Sequence, residues 1–175
     1  MFKSALCFSF ILLILIACQK TEPLTANIPL SQNGLPENID SFLYNNSNDT
    51  GLFRWYRDDS IRHSSTASPH KPFFRVRFNF PAYEALTDSG RLPKGAKFRA
   101  GSMVVKELFD SINGKVQLLA ILYKDSANVN SNKDWIWAEM KANGGDYISA
   151  KAKGNACVGC HSQNSRDYLR VFDAF

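Results

Sequence analysis

The chain has 175 residues, 45% of them hydrophobic, and a formal net charge of +5. That length supports one well-buried core and excludes two comfortable domains, while the apolar share excludes a chain too polar to fold. The basic residues are scattered between acidic ones with no Lys/Arg run, which excludes the charge footprint of a nucleic-acid binder and leaves a mildly basic, solvated surface.

Residues 1–17 read as a secretory signal, with Lys3 supplying positive charge ahead of an apolar run over 5–17 that only Cys7 and Ser9 interrupt. The run is too short for a bilayer span, which takes about 20 residues. Leu15, Ile16, Ala17 and Cys18 resemble a bacterial lipobox, making Cys18 the lipid-modified first residue of the mature chain; the alternative is an ordinary cleaved signal with Cys18 incidental. Loss of Lys3 with the signal lowers the charge from +5 to +4. The expected location is the periplasmic side of a bacterial membrane. Gln19, where an aspartate would retain the protein at the inner membrane, points to the outer one.

Residues 18–35 are rich in Thr, Asn, Pro, Gln and Ser, the makeup of a tether, so the folded domain is expected over 36–175. Pro36 at a first helical position, with Ile39, Phe42 and Leu43 at helical spacing, predicts a short helix ended by 45–49. Residues 53–56 predict an edge strand. Strict alternation of apolar and polar residues over 74–80 predicts a strand with one buried face. Pro81 opens a brief helical stretch to Leu86. Strands are predicted over 102–109 and 115–123, joined by a hairpin in which Asn113 and Gly114 supply two positive φ angles. A fourth strand is predicted over 135–140. Ser165 predicts the cap of a last helix with Tyr168, Leu169 and Phe172 on one side. The fold class is α+β, a mainly antiparallel β-sheet with a few short flanking helices.

Of the four cysteines, Cys7 leaves with the signal and Cys18 takes lipid, so only Cys157 and Cys160 remain in the domain and no disulfide framework is available. With Val158, Gly159 and His161 they form Cys-x-x-Cys-His, the spacing of a covalent haem c attachment site: two thiols for two haem vinyl groups, and an imidazole for the iron. The cofactor would thus be tied to the C-terminal segment. A structural zinc site would want a fourth ligand from His63 or His70, and a thioredoxin-like pair would want a strand-helix-strand unit that is missing. The other iron position has Met103, Met140, His63, His70 and Lys106 as conceivable ligands. The methionines lie in strand patterns where a core role is usual, and both histidines read as surface residues.

Over 72–172 the chain resembles the P-four-sixty cytochromes. The likeness rests on the strand over 74–80, on Gly101, Ser102, Met103, Val104, Val105, Lys106, Glu107 and Leu108, on Trp135, Ile136 and Trp137, and on the late Cys-x-x-Cys-His. The resemblance implies a haem c protein with a mainly antiparallel β fold, often a homodimer, with His161 on the iron and an open distal face. Lys106 would be the residue bonded to the porphyrin edge, and Arg77 falls near a distal arginine that would stabilise a bound anion. The cytochromes c-prime-beta share the fold, lack the lysine bond and bind gases. Members that oxidise hydroxylamine carry a distal carboxylate where this chain has Ala120, and no acid occurs between Lys115 and Lys124.

On the residues themselves, Lys106 shares a strand face with Ser102, Val104 and Leu108, so its stem crosses an apolar surface toward a cofactor or snorkels to solvent; Glu107 points the other way. The leading expectation is an exported haem c protein with an open distal site that binds nitric oxide or a related small nitrogen species, with or without redox turnover. Phe74, Phe78, Leu118, Ala120 and Leu122 are expected to wall that site. The rivals are a hydroxylamine or nitric oxide oxidoreductase with Lys106 joined to haem, and a six-coordinate electron-transfer cytochrome.

Overall fold

A computed structural model describes residues 38–64 and 68–173. Cys18, the tether and Pro36 lie outside them. The Asn38 side chain accepts the Ser41 N–H at 3.1 Å, an N-cap worth about 1 kcal/mol, and opens helix α1, Ile39–Asn48. Ile39, Phe42 and Leu43 form its buried stripe, as their spacing predicts. The helix continues through 45–48, where an end was expected, because Asn46 and Asn48 donate back to the carbonyls of Phe42 and Tyr44 and so bond within the helix. Asp40 ties it to the C-terminal half by accepting the Ala150 N–H at 2.7 Å.

The strands are β1 (Phe53–Trp55), β2 (Arg62–His63), β3 (Phe73–Asn79), β4 (Met103–Phe109), β5 (Val116–Lys124), β6 (Trp135–Lys141) and β7 (Asp146–Ile148). Among the described residues they form one antiparallel sheet in the order β1-β3-β4-β5-β6-β7, with β2 also paired to β3. Two short helices, α2 (Phe80–Tyr83) and α3 (Val158–His161), flank it. Asn79 caps α2 and at the same time pins it to β4: its Oδ1 accepts the N–H groups of Ala82 and Met103, and its Nδ2 donates to the Gly101 carbonyl.

Alternation along each strand divides the core between the two sheet faces. Under α1 lie Met103, Val105, Ile121, Tyr123, Ile136 and Met140. On the other face lie Phe74, Val76, Phe78, Val104, Leu108, Leu122, Trp135 and Trp137, covered by Phe98 and by Leu169 and Phe172 of the C-terminal segment. Burying each of these large side chains contributes about 1.5–3 kcal/mol, and β4 and β6 are buried on both sides.

Two local expectations are corrected. The β4–β5 connection is a hairpin, but neither Asn113 nor Gly114 has a positive φ. A bulge between Leu108 and Phe109 shifts the register, and the loop closes through the Gly114 N–H on the Ser111 carbonyl at 3.0 Å. A Cβ at Gly114 would stand 3.0 Å from the Ser111 hydroxyl and 3.1 Å from its carbonyl oxygen, a tight fit that glycine avoids. The helix expected after Ser165 is replaced by a bridge between Arg166 and Leu169 and a 3-10 turn, Val171–Asp173. Asp167 and Tyr168 adopt positive φ because Asp167 turns inward: its carboxylate takes Lys124 Nζ at 2.8 and 2.9 Å and the Phe98 N–H at 2.8 Å.

Candidate functional site

Val76, Lys106, Ala120 and Glu139 stand in register on β3, β4, β5 and β6. Residues paired across antiparallel strands point to one side, so these four form a row across the face opposite α1. Lys106 Nζ lies 4.3 Å from the centre of the Phe74 ring. Burial pushes its amine down to about 8, against the opposing pull of the Glu139 carboxylate.

The C-terminal segment is seated over this row by one close approach. Gly154 has φ +59°, and a Cβ there would stand 2.4 Å from Cγ of Trp137, so only glycine lets the backbone lie on that ring. From Gly154 the chain winds into α3, with Val158 N–H on the Gly154 carbonyl and His161 N–H on that of Cys157. A helical turn puts residues three and four apart on one side, which groups Cys157 with Cys160 and His161. Cys157 packs against the apolar face, while Cys160 is exposed with its Sγ 2.8 Å from an Arg170 nitrogen. Burial pushes the Cys157 thiol up, and Glu139 acts in the same direction.

His161 is oriented from both sides. Its ring meets Trp137 edge to face, with centroids 5.2 Å apart, and its Nδ1 lies 2.8 Å from the Tyr168 carbonyl. That carbonyl can only accept, so Nδ1 carries the proton and Nε2 keeps its lone pair for a metal. Burial pushes the imidazole down, assisted by His70, Lys106 and Arg170, and so favours this neutral form; the bond to Tyr168 pulls the other way. The left-handed turn at Asp167 and Tyr168, which replaces the expected helix, is what aims that carbonyl.

Lys106, Cys157, Cys160 and His161 are therefore brought to one face, with Phe74, Phe78, Leu118, Ala120 and Leu122 in the same apolar cluster. Arg77 is not. It lies one pleat away on the α1 side, 3% exposed, its Nε 3.0 Å from Glu107 Oε1 but outside hydrogen-bond geometry, and its guanidinium 4.7 Å from the Phe53 ring centre. The expected distal role fails because strand alternation points Arg77 with Val105, away from Lys106. Met103 and Met140 are buried on that same α1 side. His63 is on the exposed edge strand β2, against Phe73.

Two further residues meet on this face: Glu139, which sequence reasoning passed over, and His70, which it weighed as an iron ligand but read as a surface residue. Glu139 supplies an acid to the face from β6, as the registered neighbour of Ala120. His70, read as a surface residue, is folded over the sheet with its Nδ1 2.8 Å from Glu139 Oε1, the two side chains 22% and 9% exposed. A buried acid inside the apolar run of β6 was the available signal for Glu139. His70 had none, because a loop residue is placed by tertiary folding alone.

Among the described residues no group of three or more His, Cys, Asp or Glu side chains is arranged to hold a bare metal ion. An apolar wall, two thiols on one helical turn and a neutral imidazole with an uncommitted Nε2 instead fit a metal that arrives inside its own flat, apolar chelate. The fold and site define a haem-binding protein. The family model for Cytochrome P460 matches residues 54–171, and the chain belongs to that family. The comparison with curated proteins returned no match.

Proposed function

We propose that this chain is an exported c-type haem protein that binds nitric oxide or a related small nitrogen species at its iron. The observation that supports the reading is the helical turn from Cys157 to His161, which packs Cys157 against an apolar sheet face, carries Cys160 on the same turn and holds a neutral, oriented imidazole. Cys157 and Cys160 would each add an S–H across a haem vinyl group, giving two thioethers, and His161 would hold the iron through Nε2. The haem supplies an iron able to take a small neutral ligand. The chain supplies the rest: aromatic and aliphatic walls that exclude water and favour an uncharged guest, and Glu139 as a proton acceptor within reach of that space. Anchoring through Cys18 on the periplasmic side of the outer membrane belongs to the same reading and rests on the lipobox-like run ahead of it.

A second reading, an oxidoreductase acting on hydroxylamine or nitric oxide with Lys106 bonded to the porphyrin edge, is favoured by two observations. The Lys106 amine, with its pKa near 8, is largely neutral and nucleophilic at mildly alkaline pH. The acid that hydroxylamine chemistry wants, missing from β5, is available from Glu139.

The test is expression in a host that matures c-type cytochromes, followed by ferric and ferrous absorption spectra before and after nitric oxide. Covalent colour and a spectral change on adding the gas are expected. Colourless protein with both thiols free would sink the proposal, and coloured protein indifferent to nitric oxide would sink its ligand. Mass of the denatured haem peptide decides the lysine bond; a spectrum unmoved by Lys106→Ala removes the second reading.

A further inference from the structure

Arg57, Asp88, Ser89, Arg91 and Arg166 line an open cleft of about 450 Å³. It shares no lining residue with the group formed by Lys106, Cys157, Cys160 and His161. Two tight turns build its walls. Residues 88–91 close through the Asp88 N–H on the Arg91 carbonyl at 3.0 Å and the Arg91 N–H on the Asp88 carbonyl at 2.9 Å, with Ser89 and Gly90 at φ +50° and +78°. Residues 166–169 repeat the pattern, with bonds of 3.1 and 3.0 Å between Arg166 and Leu169 and with Asp167 and Tyr168 at φ +49° and +66°. Two successive positive φ angles make the compact turn of a two-residue hairpin loop, which leaves the flanking side chains little freedom of placement.

Arg166 joins the two turns. Its Nη1 donates to Asp88 Oδ2 at 2.6 Å and to the Leu92 carbonyl, and its guanidinium stands 6.0 Å from the Phe172 ring centre. Arg57 enters from the end of β1, its backbone at φ +66° and its guanidinium 5.7 Å from the ring centre of buried Tyr56, which packs on Phe172 in turn.

Three guanidiniums and one carboxylate give the lining a charge of +2, three minus one. The carboxylate is already engaged by Arg166, and among the described residues Arg91 has no ion-pair partner. A concave surface of one sign concentrates counter-ions, and a guanidinium offers a planar fork that matches two oxygens of a phosphate or carboxylate group. The volume falls in the range of small-molecule sites. A phosphate group alone, with the bulk of about four waters of about 30 Å³ each, fills only part of it. The ligand that matches both charge and room is doubly negative and carries an organic body.

We propose that this cleft binds a small organic dianion, a phosphate monoester or a dicarboxylate, gripped by Arg57 and Arg91 with Arg166 as a fixed third donor. The site is independent of the haem reading. The bland account of the same residues is a solvated basic surface on which Arg166 and Asp88 merely latch two turns together.

The experiment is calorimetric titration of the full exported chain, as purified from a host that matures c-type cytochromes, with glycerol phosphate, succinate and, as a monoanion, acetate. Salt is held at about 0.15 M, where the Debye length is about 8 Å and diffuse surface attraction is screened. Binding of at least one dianion at one site, with Kd below about 1 mM and about tenfold tighter than acetate, is expected. Arg57→Gln and Arg91→Gln should each weaken it about tenfold, the loss that follows removal of one charge-assisted hydrogen bond. Both are read beside far-ultraviolet circular dichroism to show that the fold is kept. Lys141→Gln, at an exposed position on β6, should bind as the wild type does. Heat from glycerol phosphate alone assigns the phosphate class, and heat from succinate alone the dicarboxylate class. No binding of either dianion overturns the proposal, as does binding that survives both arginine substitutions or that falls equally in Lys141→Gln.

Discussion

Replacing Asp167 by alanine should destabilise the fold by about 3–4 kcal/mol, although the residue touches no cofactor. Its carboxylate holds Lys124 Nζ at 2.8 and 2.9 Å, with the two side chains 2% and 5% exposed. Removing one member of a buried ion pair costs about 3–5 kcal/mol, because the survivor stays desolvated and uncompensated. The figure falls at the lower end here: Asp134 stands 3.8 Å from Lys124 Nζ, 39% exposed, and partly takes over. The Phe98 N–H also loses its acceptor, adding about 1 kcal/mol. For a domain of this size the melting temperature should drop by roughly 10 °C. Urea titration followed by circular dichroism measures the loss, with Lys124→Met and the double variant Lys124→Met/Asp167→Leu completing a cycle. The double variant should be more stable than either single one, since no buried charge is then stranded. A loss below about 1 kcal/mol for Asp167→Ala, or strictly additive costs in the cycle, would refute the reasoning.

Other outcomes follow from the same geometry. The folded pKa of Lys106, about 8, lies below its ordinary 10.5, so the unfolded chain binds more protons between these values and stability should rise with pH across that window, by about 3 kcal/mol at most. Lys106→Met should abolish the rise and be the more stable protein at pH 7; parallel urea midpoints from pH 7 to 10.5 would count against the buried ammonium, provided haem-peptide mass shows no lysine bond. Gly154→Ala should cost about 3 kcal/mol, because the new methyl meets the Trp137 ring and the backbone sits at φ +59°. A cost under about 1 kcal/mol in the same titration would show that the segment is not pinned there. Asp40→Ala should loosen α1 from the sheet at about 1–3 kcal/mol, read by faster amide exchange in α1, since the buried Ala150 N–H loses its partner; unchanged exchange would contradict that tie.

The sheet was legible in the sequence where polarity alternates along a strand. Residues 74–80 alternate in polarity as a strand should, but the single buried face expected of them is not what forms: Arg75 alone of the polar side is half-buried, while Arg77 and Asn79 are buried along with Phe74, Val76 and Phe78. In β4 and β6 both faces are covered, so β-branched and aromatic content marks the strands without saying which side each residue serves. The pair Cys157 and Cys160 with His161 was legible because its chemistry is local. Glu139 and His70 were not, because their meeting depends on which strand neighbours β5 and on a loop folding across three strands. The last helix was misread for a related reason: Asp167 trades helical geometry for Lys124, a partner supplied by a strand distant in sequence.

The pleat of β4 places an amine and a carboxylate on adjacent residues, Lys106 toward the candidate site and Glu107 toward Arg75 and Arg77. Sliding β4 by one residue would exchange them, seating an acid where the porphyrin edge is expected and stranding an amine among arginines. The bulge at Leu108 and Phe109 comes just after both and absorbs the mismatch of the hairpin before it can reach them. Insertions in the 110–115 loop should therefore leave the chemistry of this face intact, whereas a single inserted residue between Gly101 and Lys106 should invert its charge.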